Sequence, residues 1–338
     1  MIDWVSCRVP LDKCSPAVRA AANELSDRVQ RICPKSGEIR YETACWESIR
    51  SDTHQIAARA SSDLWINGSP ARLIGDGDAV FGNGASRYMD LKGCVSRMIA
   101  FIESYLGAGE LPHLDHWLVT KVDVTGNLLL ASLDEVRDAL RILNGCEGGR
   151  YRVDARSGNT VYWSKTSRYK SGKAYAKGPH LKHLAGKSDY TGRPYSAIEI
   201  ANADRLLRLE LSLKSQFFKE HDWRTLTPDD LAFYWDGYFD RMIGSAEIVA
   251  DDDVKKRIYE VAPSEGRAKA AFGCWAMIKS QGYERAREMF TKPTWYRHQK
   301  ILREAGLSDA DISAGRVVEF RRRVLEASLA ESWEHIAA

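Results

Sequence analysis

The sequence predicts an α+β fold: a largely antiparallel sheet with helices on one face and the opposite face open, followed by an all-helical C-terminal part. Three observations carry this expectation. Leu207-Arg-Leu-Glu-Leu-Ser-Leu213 alternates without a break, placing four leucines on one face and Arg208, Glu210 and Ser212 on the other. Leu118-Val-Thr-Lys-Val-Asp-Val-Thr125 repeats the pattern, with Val122 and Val124 opposed to Lys121, Asp123 and Thr125. Beyond residue 225 the apolar spacing is that of amphipathic helices.

The elements follow in chain order. Trp4 to Val9 reads as a short strand stopped by Pro10, and residues 40–75 as further strands with Trp46 and Trp65 as core anchors. Ser69 to Asn83 is a glycine-punctuated turn without the GxxxxGK[ST] spacing of a phosphate-binding loop, which excludes ATP binding there. Over 86–106, Leu91, Val95, Met98, Ile102 and Tyr105 recur at helical spacing. Ser132 and Glu135 form a capping box for a helix bearing Leu133, Val136, Leu140 and Leu143, which stops at Asn144-Gly145. Thr160 to Ser164 and the stretch around Tyr175 flank a Lys/Arg/Ser-rich turn, a hairpin pattern, and residues 180–197 read as a polar loop.

In the C-terminal part, Asp229 to Ile243 is an amphipathic helix with Leu231, Tyr234, Trp235 and Tyr238. Thr294 to Arg303 is another, after the break at Lys292-Pro293 and before Gly306. Arg297, Lys300 and Arg303 project from it, so it is a candidate recognition helix of a helix-turn-helix, although a plain surface helix has the same pattern. The division expected is a sheet domain over 1–222 and a helical domain over 223–338.

The 338 residues are 44% hydrophobic and 28% charged, the balance of an ordinary globular chain that can bury one large core or two smaller ones. No apolar run has membrane-spanning length and no basic-then-apolar leader opens the chain, which predicts a cytosolic protein. The seven Cys are scattered and include no CxxC pair, which argues for reduced thiols and against a zinc site. The net charge of +3 hides an asymmetry. Residues 151–219 hold 14 Lys/Arg against 5 Asp/Glu, so +9, leaving −6 for the rest. Tyr151, Tyr162, Trp163, Tyr169, Tyr175, Tyr190 and Tyr195 lie in the same block, and cations interleaved with aromatics suit a phosphate backbone with unstacked bases.

Within that block, a strand over Ser171-Gly-Lys-Ala-Tyr-Ala-Lys177 places Lys173, Tyr175 and Lys177 on one face. A phenol between two ammonium groups suits attack on a phosphate. The lysines favour the phenolate, whose share at neutral pH is otherwise about 0.1% for a pKa of about 10, and they attract the polyanion. A tyrosine on an exposed, lysine-solubilised strand has the same sequence. The open face also gathers Asp123, Arg208 and Glu210, a set that suits metal-assisted phosphoryl transfer.

With these segments in place, the chain resembles the replication-initiation proteins of filamentous bacteriophages, the gene-two type with its shorter gene-ten product. The matching residues are Met1-Ile-Asp3 with Arg8-Val-Pro10, Ser69-Pro-Ala-Arg72 with Val80-Phe-Gly82, and Val122-Asp-Val-Thr125. They continue with Thr160-Val-Tyr-Trp163, Thr166-Ser-Arg168, Ala174-Tyr-Ala-Lys177 and Leu207-Arg-Leu-Glu210, in order over residues 1–215. Trp295-Tyr-Arg-His298 and Glu304-Ala-Gly306 match the helical tail more weakly.

The resemblance implies a rolling-circle initiator of the wider tyrosine-endonuclease superfamily. Such a protein nicks one strand of a replicative duplex at its origin, stays bonded to the 5′ end through a tyrosine, and later cleaves again and ligates the displaced strand. The nucleophile falls on Tyr175, and the implied setting is the bacterial host cytoplasm, with origin DNA, the host helicase and replisome, and a second copy of the chain as partners. The superfamily's pair of histidines flanking one hydrophobic residue is missing: His113/His116 and His180/His183 are spaced by three. Asp123 and Glu210, with His180 as a third, are then the candidate ligands for Mg²⁺ or Mn²⁺, because hard cations favour oxygen donors. Lys173 and Lys177 stabilise charge at the phosphate, while Arg168, Lys170 and Arg208 hold flanking phosphates. A non-catalytic DNA-binding regulator or packaging protein is the alternative that the basic block and tail also allow.

Overall fold

The computed structural model describes residues 2–25, 27–51, 54–70, 73, 78–81, 90–144, 153–157, 160–188, 190, 192–243, 253–307, 309–315 and 329–337. The strands are β1 (Ile2–Pro10), β2 (Arg28–Ile32), β3 (Ile39–Ala44), β4 (Glu47–Ser51), β5 (His54–Ala60), β6 (Asp63–Gly68), β7 (Leu118–Leu129), β8 (Val153–Ser157), β9 (Thr160–Trp163), β10 (Lys170–Ala176) and β11 (Leu206–Lys214). The helices are α1 (Pro16–Glu24), α2 (Leu91–Leu106), α3 (Leu133–Asn144), α4 (Lys177–Ala185), α5 (Ala197–Asp204), α6 (Phe217–Glu220) and α7 (Pro228–Ile243). They continue with α8 (Val254–Val261), α9 (Glu265–Gln281), α10 (Tyr283–Glu288), α11 (Lys292–Glu304), α12 (Asp309–Ala314) and α13 (Trp333–Ala337).

Nine strands form one sheet in the order β4-β5-β6-β1-β7-β11-β10-β9-β8, and every neighbouring pair is antiparallel. β2 and β3 form a separate hairpin. The alternation read in β7 and β11 sets the layers. Leu207, Leu209, Leu211 and Leu213 are all buried, each contributing about 1.5–3 kcal/mol, on the face covered by helices.

α7 begins past residue 222 and packs on that face, where Tyr238 and Phe239 enter the main core. Two glycines make room for it. A Cβ on Gly126 would lie 2.6 Å from the Trp235 ring, and one on Gly172 would collide with the ring of Tyr238. A second core is built from α8 to α12, with Trp275, Ile278, Trp295 and Leu302 at its centre. The chain then returns to the sheet: Leu329 bridges Leu128, and Trp333 packs edge-on against Phe81.

Several expectations are corrected. The first strand starts at Ile2 and the 118–125 strand runs on to Leu129. The helix expected over 86–106 is described from Leu91, and residues 86–89 lie outside the described residues, as does Gly145. Residues 180–197 are not simply a loop, since α4 occupies 177–185 and α5 begins at Ala197. The reason is Pro179, whose fixed φ and missing N–H suit a first helical turn. Trp46 is 39% exposed and Trp65 half-buried, so neither anchors the core; both stand on the sheet's polar side. No described helix is long and apolar enough to cross a membrane.

Candidate active site

The polar face is assembled by register. On β10, β11 and β7, Tyr175 lies opposite Arg208 and Arg208 opposite Asn127; one step along, Lys173 lies opposite Glu210 and Glu210 opposite Thr125. The next row pairs Ser212 with Asp123, and Asp123 with Trp4 of β1. Period-two geometry then puts Tyr175, Lys173, Arg208, Glu210 and Asp123 on one face, as the alternation predicted.

Lys177 reaches this site differently from expected. β10 ends at Ala176, and Lys177 is the first residue of α4. Gly178 sets the approach, because a Cβ there would meet the Asp204 backbone at 2.7 Å. The helix brings Lys177 Nζ to 5.8 Å from the Tyr175 ring centroid, with Lys173 Nζ at 4.1 Å. His180, one turn further, sets its ring edge-on to Tyr175 at 5.0 Å.

Tyr175 is only 3% exposed. Burial drives its pKa well above the ordinary phenol value; the charge of the Arg208 guanidinium opposes this, and the Glu210 and Asp3 carboxylates reinforce it. The phenolate expected from two flanking lysines is therefore not the resting form, because the ammonium groups lie over the ring and desolvation outweighs them. Burial and the nearby cations Lys177, Lys173 and Arg208 pull His180 down to about 3, so its imidazole is neutral at physiological pH. Its Nδ1 is buried and has no hydrogen-bond partner among the described residues.

Arg208 is fully buried. Its Nε donates to Asn127 Oδ1 at 2.8 Å, its Nη1 to Ala79 O at 3.2 Å, and its Nη2 to Val80 O. Asp3 faces it at 3.6 Å. The 78–81 turn that supplies these carbonyls is pinned by Asp78, which accepts from the Val80 and Phe81 N–H groups, the Tyr195 hydroxyl and Trp333 Nε1. Arg208 was expected to hold a flanking phosphate. A third layer covers it instead, and it acts as an internal clamp on Tyr175 and Asp3. Asp3 and Asn127 were missed as site residues. Asp3 belongs to a matched motif, but nothing in periodicity pairs an N-terminal strand with β7.

The acidic side of the face is also built in pairs. Asp123 accepts from Lys121 Nζ and from Ser212 Oγ, both at 2.6 Å, and Lys173 Nζ lies 3.4 Å from Glu210. Burial raises the Glu210 carboxyl, which Lys173 counters while Asp123 and Asp3 add to the rise. Three acids in one electrostatic neighbourhood suit a hard divalent cation. Among the described residues, however, no three His, Cys, Asp or Glu side chains come together closely enough to hold a metal. Asp123, Glu210 and His180 therefore do not form the three-ligand cluster expected, and His180 belongs to the Tyr175 end of the site. Two carboxylates still fit Mg²⁺, which ordinarily takes one or two from protein and fills its shell with water and substrate phosphate.

The remaining expected DNA contacts divide. Arg168 is exposed on the β9–β10 turn. Lys170 shares the leucine face, not that of Tyr175, and its Nζ stands 5.4 Å from the Tyr238 ring centroid. On α11, Arg297 and Lys300 are exposed, Lys300 sits 3.6 Å from Glu304, and Arg303 is half-buried and bonded to Gln299. A three-residue turn, Met289 to Thr291, joins α10 to α11.

Comparison with known proteins gives the family. A family model described as the N-terminal part of the phage replication-associated protein, the gene-two product, matches residues 1–232. The replication-associated gene-two protein of Enterobacteria phage I2-2 is 25% identical over 349 aligned residues, covering 94% of this chain and 90% of the relative. The chain belongs to this family of phage replication-associated proteins.

Proposed function

We propose that this member of the family starts rolling-circle replication by nicking one strand of its phage's replicative duplex through a phosphotyrosine at Tyr175, and later re-cleaves and ligates the displaced strand. The observation that carries the reading is the enclosure of one phenol between a neutral imidazole and a buried guanidinium on a basic, carboxylate-bearing sheet face.

Asp123 and Glu210 would hold a Mg²⁺ or Mn²⁺ ion, which when bound supplies positive charge against the scissile phosphate. This chain's own groups do the rest. Arg208 fixes the phenol oxygen, and His180 takes its proton as the oxygen bonds to phosphorus. The bond from phosphorus to the 3′ oxygen breaks in the same displacement, and that oxygen leaves as the 3′-hydroxyl after gaining a proton from solvent. Lys173 and Lys177 oppose the charge that builds on the phosphorane. The phosphotyrosine keeps the energy of the broken ester, so attack by a 3′-hydroxyl reverses the step without ATP. Because Tyr175 is enclosed, the phosphate reaches it only after α4 or the 78–81 turn shifts. Arg168 and the exposed cations of α11 would track flanking phosphates of origin DNA, in the host cytoplasm and beside the host helicase and replisome.

The test is a supercoiled plasmid carrying the phage's own origin, incubated with the protein and Mg²⁺. Relaxed circles should form with protein on the 5′ end, and Tyr175→Phe should yield neither. Nicking by that variant at the wild-type rate removes Tyr175 from the chemistry and favours a regulator that only binds.

A further inference from the structure

The polar face does not end at the Tyr175 site. It continues onto β1, β6, β5 and β4, and there a line of side chains crosses the strands. Arg8 of β1 lies opposite Trp65 of β6, and Trp65 opposite Arg59 of β5. Trp46, one residue before β4, completes the line. The Arg8 and Arg59 guanidinium carbons stand 5.2 and 5.3 Å from the Trp65 ring centroid, and that of Arg59 4.6 Å from the Trp46 ring. Cation, ring, cation and ring thus alternate across four strands.

The row lies on the same side of the sheet as the candidate active site. Trp4 and Ser6 share the face of Arg8 and lie opposite Asp123 and Lys121 of β7. Between Tyr175 and Arg8, the near end of the row, there are about 14 Å across the strands and about 30 Å along them, from ordinary strand spacing and rise. On the β1, β6 and β5 part of that face Asp3, Trp4, Ser6, Arg8, Trp65 and Arg59 are all only half-buried, whereas Asp123 and Arg208 nearer Tyr175 are buried.

Two features show that the row is incomplete as it stands. Arg8 is part-satisfied, since its Nη1 donates to Asp63 Oδ2 at 2.5 Å, but the buried Nε atoms of Arg8 and Arg59 have no hydrogen-bond acceptor among the described residues, a shortage uncommon in folded proteins. Trp46 keeps 39% of its surface exposed although Arg59 covers part of it. Guanidinium donors that lack acceptors match phosphate oxygens, and an exposed indole matches an unpaired base.

We propose that the Arg8–Trp65–Arg59–Trp46 row is the track for the single-stranded DNA that leads to or from the cleavage site. Trp65 lies between the two guanidiniums, Asp63 holds that of Arg8, that of Arg59 takes a phosphate, and a base stacks on the open part of Trp46. The inference rests on the reading of Tyr175 as a DNA-nicking residue, and it goes beyond it by naming where unpaired substrate lies. It selects a single strand over a duplex because stacking needs a base free of its partner.

The experiment measures binding of the full-length protein to a labelled oligothymidylate of about 20 nucleotides, and to a duplex of equal length, by fluorescence anisotropy across a salt series. Trp46→Ala should weaken oligothymidylate binding about tenfold, leaving the salt slope and duplex affinity in place. Arg59→Gln should weaken it similarly and lower the salt slope by about 0.7. Arg59→Lys, which keeps the charge, should restore the slope without full affinity. Circular dichroism establishes that each variant is folded. Binding within twofold of wild type by both Trp46→Ala and Arg59→Gln overturns the proposal, as does an equal loss by Trp46→Ala on duplex and single strand. Covalent attachment of wild-type protein to origin DNA is scored separately. Row-dependent binding without attachment would retire the nicking chemistry and keep the row; attachment with row-independent binding would do the reverse.

Discussion

Two sets of basic residues, both read from periodicity, end in opposite environments. On β10, β11 and the start of α4, Lys173, Lys177 and Arg208 are wholly or mostly buried, and each is set against a ring or a carboxylate. On α11, Arg297 and Lys300 stand in solvent. Environment decides what each kind of cation can do. A buried cation keeps its full field in a low-dielectric pocket and can orient one atom, whereas an exposed one is screened within about 10 Å and adds mainly to salt-dependent attraction for phosphates.

Arg208 is where this distinction is most exposed to failure. Arg208→Met removes the cation beside Asp3 and Tyr175, takes the Arg208 donor from the Ala79 carbonyl, and leaves the Val80 carbonyl only the Asn127 amide. It should cost about 3–5 kcal/mol, read as a fall in the urea midpoint, because breaking a buried pair strands the other charge. A loss under about 1 kcal/mol would mean that the third layer does not close over this residue in solution.

A smaller effect is expected in the pH profile. With His180 pulled down to about 3 and Tyr175 raised, both are in their working forms at neutral pH. Single-turnover cleavage of an origin oligonucleotide by the wild type should therefore be flat between about pH 7 and 9. In His180→Gln the phenol must lose its proton to solvent, so the slower rate should climb about tenfold per pH unit. Parallel profiles for the two proteins would take the proton-acceptor role from His180.

The mildest expected change is on α11. Replacing Arg297 and Lys300 together by Ala should leave the fold intact and lower the slope of log affinity against log salt for duplex origin by about 2, roughly 0.9 for each lost phosphate contact. An unchanged slope would leave this helix outside the DNA interface and point to contact with a second copy of the chain.

Local pattern was enough for much of the architecture. The antiparallel class, the leucine face of β11, the helix from Leu133 and the sharing of one face by Asp123, Lys173, Tyr175, Arg208 and Glu210 are all consequences of a period of two or 3.6, which any chain segment carries in itself. The same period separates Lys170, expected to hold a flanking phosphate, from Tyr175: it shares the parity of Gly172 and Ala174 and so faces the leucines.

Alternation along a strand settles which residues share a face, but what covers that face depends on chain brought in from far away. Arg208 and Arg59 have the same alternating neighbours, yet the 78–81 turn and Asp3 close over the first while the second stays half-exposed beside Trp46. The covering groups come from 129 and 128 residues away for the Ala79 and Val80 carbonyls, and such separations leave no trace in a local period. Tyr175 shows the chemical consequence. Its flanking lysines are legible in the sequence and suggest a phenolate, but desolvation depends on how much chain is packed around the oxygen, and here burial outweighs the nearby charge.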